Sequence, residues 1–409
     1  MQHNASAASR YGITPAMTRM IVAILVALMA FMAVDFQNPD LLRTEKRLTD
    51  FDAFYAAGKM FWSGQIDAAY HYPAFAAVQH QTFGVSNSFM PWAYPPPFNL
   101  IVALLALLPI GVAYALFVAT TLALYLFVLK RLARAHLPVV LLAIFPVLIL
   151  NTRSGQNGFL TGALLGLGLL LAARARTPAG LALGAMIIKP HLALGAGALA
   201  LAGGRWKILA LAAATAALAA ALATGVCGAQ IWASFLAGMR EAAVFLQGGG
   251  YPLFRMASLY ATLHTLGVPP PLALAAQLLA ATAAIATIGV LARRPPAPAR
   301  MIGITAFASL YTSPYLYDYD LTLLGVAVAA LAPELLRKAT RSEALLLLLL
   351  CWLAGGCGLL QSALATPDGS EPPYALASLA LTLLAAFALR IDRRAPPRAD
   401  AQHAAGRAA

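Results

Sequence analysis

Acidic residues are scarce in this sequence. Its 409 residues hold 15 Asp and Glu against 28 Lys and Arg, and charged residues of either sign make up only 11%. That is too little charge for the wetted surface of a soluble globular protein. Cysteine is rarer still. Of the three, Cys351 and Cys357 sit inside one apolar run and Cys227 near the end of another, so neither a disulfide framework nor a thiolate metal site is indicated. No His-rich cluster is present, although Asp50-Phe51-Asp52 has the spacing of a DxD metal motif. No internal repeat is visible, which argues against the paired, interrupted-helix halves expected of a transporter. No cleavable signal peptide stands out, and residues 20–34 read as a first span retained as an anchor.

Apolar length is what the chain has. Hydrophobic residues make up 61% of it and the mean hydropathy is +0.76, which predicts an all-α polytopic membrane protein. A span needs about 17–25 apolar residues, fewer where neighbours shelter a short helix, and the sequence predicts about twelve. They fall near 17–35, 111–130, 137–150, 157–173, 178–188, 190–203, 207–226, 270–292, 301–315, 319–333, 342–361 and 374–390. The apolar segment 97–109 is short and ends at Pro109-Ile110-Gly111, so it is taken as re-entrant or interfacial. With that choice every basic cluster falls on one side: Lys130-Arg131-Arg134, Arg174-Arg176, Arg205-Lys207, Arg293-Arg294-Arg300, Arg337-Lys338-Arg341 and Arg390-Arg393-Arg394. The positive-inside rule makes that side cytoplasmic, with both termini there. The net charge of +13 is thus spread over loops rather than gathered as a nucleic-acid patch. The expected organisation is a cytoplasmic tail 1–16, a transmembrane domain 17–390 with a structured extracytoplasmic loop 36–96, and a disordered cytoplasmic tail 391–409.

The same assignment gathers the polar oddities on the opposite, extracytoplasmic face. Asp50 and Asp52, Tyr94-Pro95-Pro96-Pro97-Phe98, the stretch Asn151 to Asn157, Lys189-Pro190-His191, the loop 227–269 and Ser313 to Asp320 all converge there. One-sided polarity points to an enzyme site rather than an alternating-access path. The competing class is a transporter or flippase of lipid-linked sugars, and within Asp50-Phe51-Asp52 the bland alternative is two solvated loop acids. The rings of the first loop, Tyr55 among them, suit the headgroup layer. A few that face the site are candidates to stack on a sugar. Tyr94-Pro95-Pro96-Pro97 opens a new helix, since proline is tolerated in a first turn.

These residues in this order resemble glycosyltransferase family 87. The pattern DFxxFYxAG from Asp50 to Gly58, YPPPF at 94, N-x-x-x-GQ-N from Asn151 to Asn157, I-K-P from Ile188 to Pro190 and SPYLYDYDL at 313–321 carry the resemblance, which runs from about residue 20 to about residue 390. It implies a GT-C-like bundle of about twelve transmembrane helices in a bacterial-type inner or plasma membrane. It also implies transfer of a hexose, mannose by default, from a polyprenyl-phosphate sugar to a hydroxyl on a glycolipid, glycan or other acceptor. No cofactor or metal is expected, because the leaving group is a lipid monophosphate.

Such a transfer needs a base, positive charge on the departing phosphate and exclusion of water. Asp50 is the candidate base for an inverting displacement. Asp52 is the candidate to orient the acceptor or hold a cation. Lys189, at the turn between two short spans and before helix-breaking Pro190, is the first candidate for the phosphate. A lysine snorkelling to the headgroups is its competing reading. Arg153 and Arg255 are the further cations, and His191 is either a ligand or a structural histidine. Gln156 and Asn157 open a span, as helix caps or as donors to sugar hydroxyls. Tyr55, Tyr94 and Tyr317 complete the expected substrate-binding set. Asp318 and Asp320 would differ by about 200° on a helix, so one of them is expected to face the site, binding sugar or pairing with Lys189 or Arg153.

Overall fold

The structure is a computed structural model that describes residues 14–41, 48–84, 89–364 and 374–394. The expected tails 1–16 and 391–409 thus lie largely outside the described residues. Among those residues the regular structure is helical, with one isolated antiparallel bridge between Met256 and Tyr317. In chain order the helices begin with α1 Pro15–Gln37, α2 Asp50–Trp62, α3 Tyr72–Phe83, α4 Pro96–Leu105, α5 Ile110–Ala133 and α6 Leu137–Ala143. They continue with α7 Phe145–Ser154, α8 Gly158–Ala172, α9 Ala179–Ala185, α10 Leu194–Ala202, α11 Trp206–Cys227 and α12 Ile231–Gln247. The last are α13 Leu259–Thr265, α14 Pro270–Arg293, α15 Pro298–Ser309, α16 Thr322–Lys338, α17 Arg341–Leu364 and α18 Ala377–Asp392.

Among the described residues six helical stretches are long and apolar enough to cross a membrane: Pro15–Gln37, Ile110–Ala143, Trp206–Cys227, Pro270–Arg293, Asp318–Lys338 and Arg341–Ser362. Other expected spans fall on shorter apolar helices. The pieces Ala179–Ile188 and Pro190–Ala202 meet at Lys189. At 1.5 Å per residue each is well short of the roughly 30 Å hydrocarbon core. The expected span 137–150 is broken, because α6 runs on from α5 and α7 restarts at Pro146, a residue suited to a first turn. Helix α4 has 10 residues, hence about 15 Å, and it packs on α2.

Burial sorts these elements. The stretch Asp318–Lys338 is 61% buried whereas Trp206–Cys227 is 11% buried, so α16 is central and α11 peripheral. Helices α5, α8 and α16 pack on one another. Their junction is tied by hydrogen bonds to backbone carbonyls: Tyr125 Oη donates to the Thr322 carbonyl at 2.7 Å, and Thr322 Oγ1 to the Gly158 carbonyl at 2.7 Å.

Helix α16 has different chemistry at its two ends. Its N-terminal approach carries Asp318 and Asp320, while its last turn carries Arg337 and Lys338. Lys338 there contacts Glu334 and Asp392, and Asp392 also pairs with Arg300. Helices α5 and α8 run toward Lys130-Arg131 and Arg174, and α17 starts at Arg341 beside the same ionic cluster. The basic clusters and the polar site therefore lie at opposite ends of the central helices.

Candidate active site

Asp50 is the first residue of α2. The helix starts at this point because Thr49 and Asp52 form a capping box, with the Thr49 backbone N–H and hydroxyl donating to Asp52 Oδ2 at 2.9 and 3.1 Å. That box turns Asp52 into its own helix, where it is buried. Asp50 is left at the mouth of the helix, half-buried and facing a cavity of about 950 Å³. The two acids of the DxD-like spacing thus diverge.

The turn between α7 and α8 meets Asp50. Gly155 ends α7 at φ 64°, and a Cβ there would lie 2.7 Å from Phe51 Cβ. Only glycine permits both that left-handed conformation and that approach. The turn then brings Gln156 Nε2 within 2.8 Å of Asp50 Oδ1 as donor. Gln156 Oε1 accepts from Tyr94 Oη at 2.9 Å and from the Asn157 backbone N–H at 2.8 Å. Gln156 therefore holds Asp50 while Tyr94 and the Asn157 backbone hold Gln156. Asn157 is the N-cap of α8 by position, yet its side chain makes no capping bond and does not line the cavity.

Two cations stand across the cavity, and neither is unpaired. Lys189 Nζ lies 2.8 Å from Asp320 Oδ1, with both side chains buried. This is one of the pairings the sequence offered for Asp320, and it leaves no lysine snorkelling to the headgroups: at that depth an uncompensated charge would be too costly. Arg255 grips Asp318 through two parallel bonds, Nε to Oδ2 and Nη2 to Oδ1, each 3.1 Å. The segment Asp318–Leu321 is a short 3-10 turn, so the two acids point apart and each takes one cation. As expected, one of the two, Asp320, faces the cavity and pairs with Lys189, while Asp318 takes Arg255, an arginine partner in place of Arg153.

Tyr317 and Tyr319 stack with centroids 5.1 Å apart, and Lys189 Nζ lies 4.5 Å from the Tyr319 ring centroid. Asn151 secures this strap from α7, its Nδ2 donating to the Tyr319 carbonyl at 3.1 Å and to the Val147 carbonyl at 3.0 Å. Gly158 makes room for that clamp, since a Cβ would sit 2.2 Å from Asn151 Oδ1 and 2.3 Å from the Tyr319 carbonyl.

Of the expected residues, Asp50, Tyr94, Arg153, Gln156, Lys189, His191, Arg255, Tyr317 and Asp320 line the cavity. Asp52, Tyr55, Asn157 and Asp318 do not. Tyr55 instead donates to the Leu108 carbonyl at 3.0 Å. Sequence reasoning missed Ser154, Tyr251, Tyr315 and Tyr319 in the lining, and Asn151 behind it. The alternating Tyr-x-Tyr-x-Tyr of 315–319 was a legible signal for two of them.

Enclosure raises the Asp50 carboxyl above its usual range, while Arg255, Lys189 and the hydrogen bond from Gln156 pull it back. A carboxylate so balanced, opposite two cations, can take a proton while negative charge develops across the cavity.

The family model of glycosyltransferase family 87 matches residues 92–314, more than half of the chain. The chain belongs to glycosyltransferase family 87. Comparisons with curated proteins and with solved structures each find no match. The protein is a glycosyltransferase built on membrane-type helices. In this family 87 enzyme the matched stretch supplies Tyr94, Arg153, Gln156, Lys189, His191 and Arg255. Asp50 and the strap beyond Pro314 lie outside it. They are joined to it by the Gln156–Asp50 bond and by the Lys189–Asp320 and Arg255–Asp318 pairs.

Proposed function

We propose that this enzyme moves a hexose, mannose being the family default, from a polyprenyl-phosphate donor to an acceptor hydroxyl with inversion. Asp50 is the general base. The observation that carries the reading is its placement: an amide-held carboxylate at a cavity wall, with Arg255 and Lys189 within electrostatic reach. Asp50 takes the proton of the acceptor hydroxyl, the oxygen bonds to the anomeric carbon, and the bond from that carbon to the phosphate oxygen breaks. The electron pair leaves on the lipid phosphate. Arg255 and Lys189 keep N–H donors beyond those given to their carboxylates, so both can hold phosphate oxygens without being freed first. Arg153, exposed at the rim, adds a third cation.

The reaction is read as metal-independent, because Asp52 turns away from Asp50 and the groups beside Asp50 are amide, hydroxyl and cationic. The site is read as extracytoplasmic, since the basic clusters gather at the far end of the central helices. About twelve membrane-embedded helical segments, several of them short, make up the GT-C-like bundle in this reading, with Thr49, Asp50 and residues 89–95 contributing to the cavity wall. The purified enzyme, incubated with a panel of polyprenyl-phosphate and polyprenyl-diphosphate sugars, is expected to release polyprenyl phosphate and glycosylated acceptor from a monophosphate donor. Transport without cleavage of any donor, followed by mass spectrometry, would favour the flippase reading instead.

A further inference from the structure

A second cavity, of about 750 Å³, lies between α15, α16, α17 and α18, with α6 and the start of α1 at its margin. Its wall runs along α16 from Leu324 to Leu336 and along α17 from Arg341 to Cys351, apolar but for Glu334 and Arg341. At 1.5 Å per residue those walls run about 15–18 Å, half of a hydrocarbon core of about 30 Å. The slot is thus one leaflet deep and parallel to the helices. Its charged residues sit at one end only: Arg300, Glu334, Arg341 and Asp392 line it there. Arg300 pairs with Asp392, and Lys338 bridges Glu334 and Asp392. This is the end of α16 opposite the active site. Helix α17 packs on α18, α6 and α7.

An apolar slot one leaflet long, whose mouth holds the guanidinium groups of Arg300 and Arg341 beside the carboxylates of Glu334 and Asp392, has the shape and polarity of a phospholipid. We infer that this cavity is a binding site for one glycerophospholipid of the basic-side leaflet, an acyl chain filling the slot and the phosphodiester held by Arg300 and Arg341. Each guanidinium has five N–H donors, so Arg300 retains some after meeting Asp392. The site is independent of sugar transfer, because no residue of it lines the catalytic cavity.

The test is native mass spectrometry of the detergent-washed full chain, followed by titration with a defined phosphatidylglycerol or phosphatidylethanolamine. Wild type is expected to retain about one phospholipid per chain. Ala388→Trp, which fills the slot, is expected to lose it. The double variant Arg300→Gln/Arg341→Gln leaves the slot open and is expected to rebind phospholipid roughly 10–30-fold more weakly. This variant decides the matter if Ala388→Trp does not fold. The inference is overturned if washed wild type neither retains nor rebinds phospholipid, if the variants hold it as tightly as wild type, or if the retained lipid is a polyprenyl phosphate.

Discussion

Asp50 and Asp52 are the same chemical group two residues apart, yet the backbone gives them opposite tasks. Asp52 satisfies the first turn of α2, so its loss is a matter of stability. Asp52→Ala is expected to cost about 0.5–2 kcal/mol, as for other N-terminal capping interactions, and to leave the pH dependence of transfer unchanged. Thermal unfolding in detergent and a pH–rate series check both halves of that expectation. As the proposed base Asp50 would work in its ionised form, and enclosure lifts its carboxyl above the usual range. Transfer should therefore fail on acidification at a pH above that of an ordinary aspartate, about 3.9. The Gln156 hydrogen bond favours the charged form and so lowers the value. Gln156→Ala removes it, and the acid limb of kcat/KM is expected to move to higher pH. A limb that stays put or moves down would mean that Gln156 does not hold Asp50 in its charged form.

At the scale of elements, the strap from Ser313 to Leu321 is what joins two cations to one site. Lys189 and Asp320 are a buried pair, so Lys189→Met alone strands a carboxylate and is expected to destabilise the fold by about 3–5 kcal/mol. Lys189→Met/Asp320→Leu removes both charges and should recover most of that stability without recovering donor binding. Restored binding in the double variant, measured by donor titration, would leave Lys189 a purely structural role.

How much of this was legible in the sequence follows from the same elements. Charge scarcity and apolar runs fix a helical membrane class, and Pro96 opens α4 as proline chemistry dictates. The convergence of 50, 94, 156, 189, 255 and 320 was also foreseeable, because polar residues inside apolar runs have few other uses. Partner choice was not. Whether Asp320 meets Lys189 or Arg153 depends on a 3-10 turn whose direction is set by the Asn151 clamp, a tertiary contact without a local signal. Most span bounds agree with the helices to within a few residues, the short pieces beside Lys189 included, whereas 137–150 is broken before Pro146 and 301–315 stops at Ser309.

At the scale of the molecule, the chain sorts its charge along the central helices, basic clusters at one end and the catalytic cavity at the other. Cysteines at Thr82 and Ser342, in a background lacking Cys227, Cys351 and Cys357, test the resulting orientation. An impermeant reagent applied to intact cells is expected to label Thr82→Cys and spare Ser342→Cys. The opposite pattern would invert the orientation, and labelling of both would end the proposed topology. The whole molecule also closes one cavity from distant parts of the chain, since Asp50 in its wall comes from outside the family-matched stretch. The most direct measurement is single-turnover transfer by wild type and Asp50→Asn with a bound polyprenyl-phosphate sugar. Asp50→Asn is expected to bind donor normally and to transfer about 10²–10⁴-fold more slowly. Transfer at near the wild-type rate would contradict the assignment of Asp50 as the base.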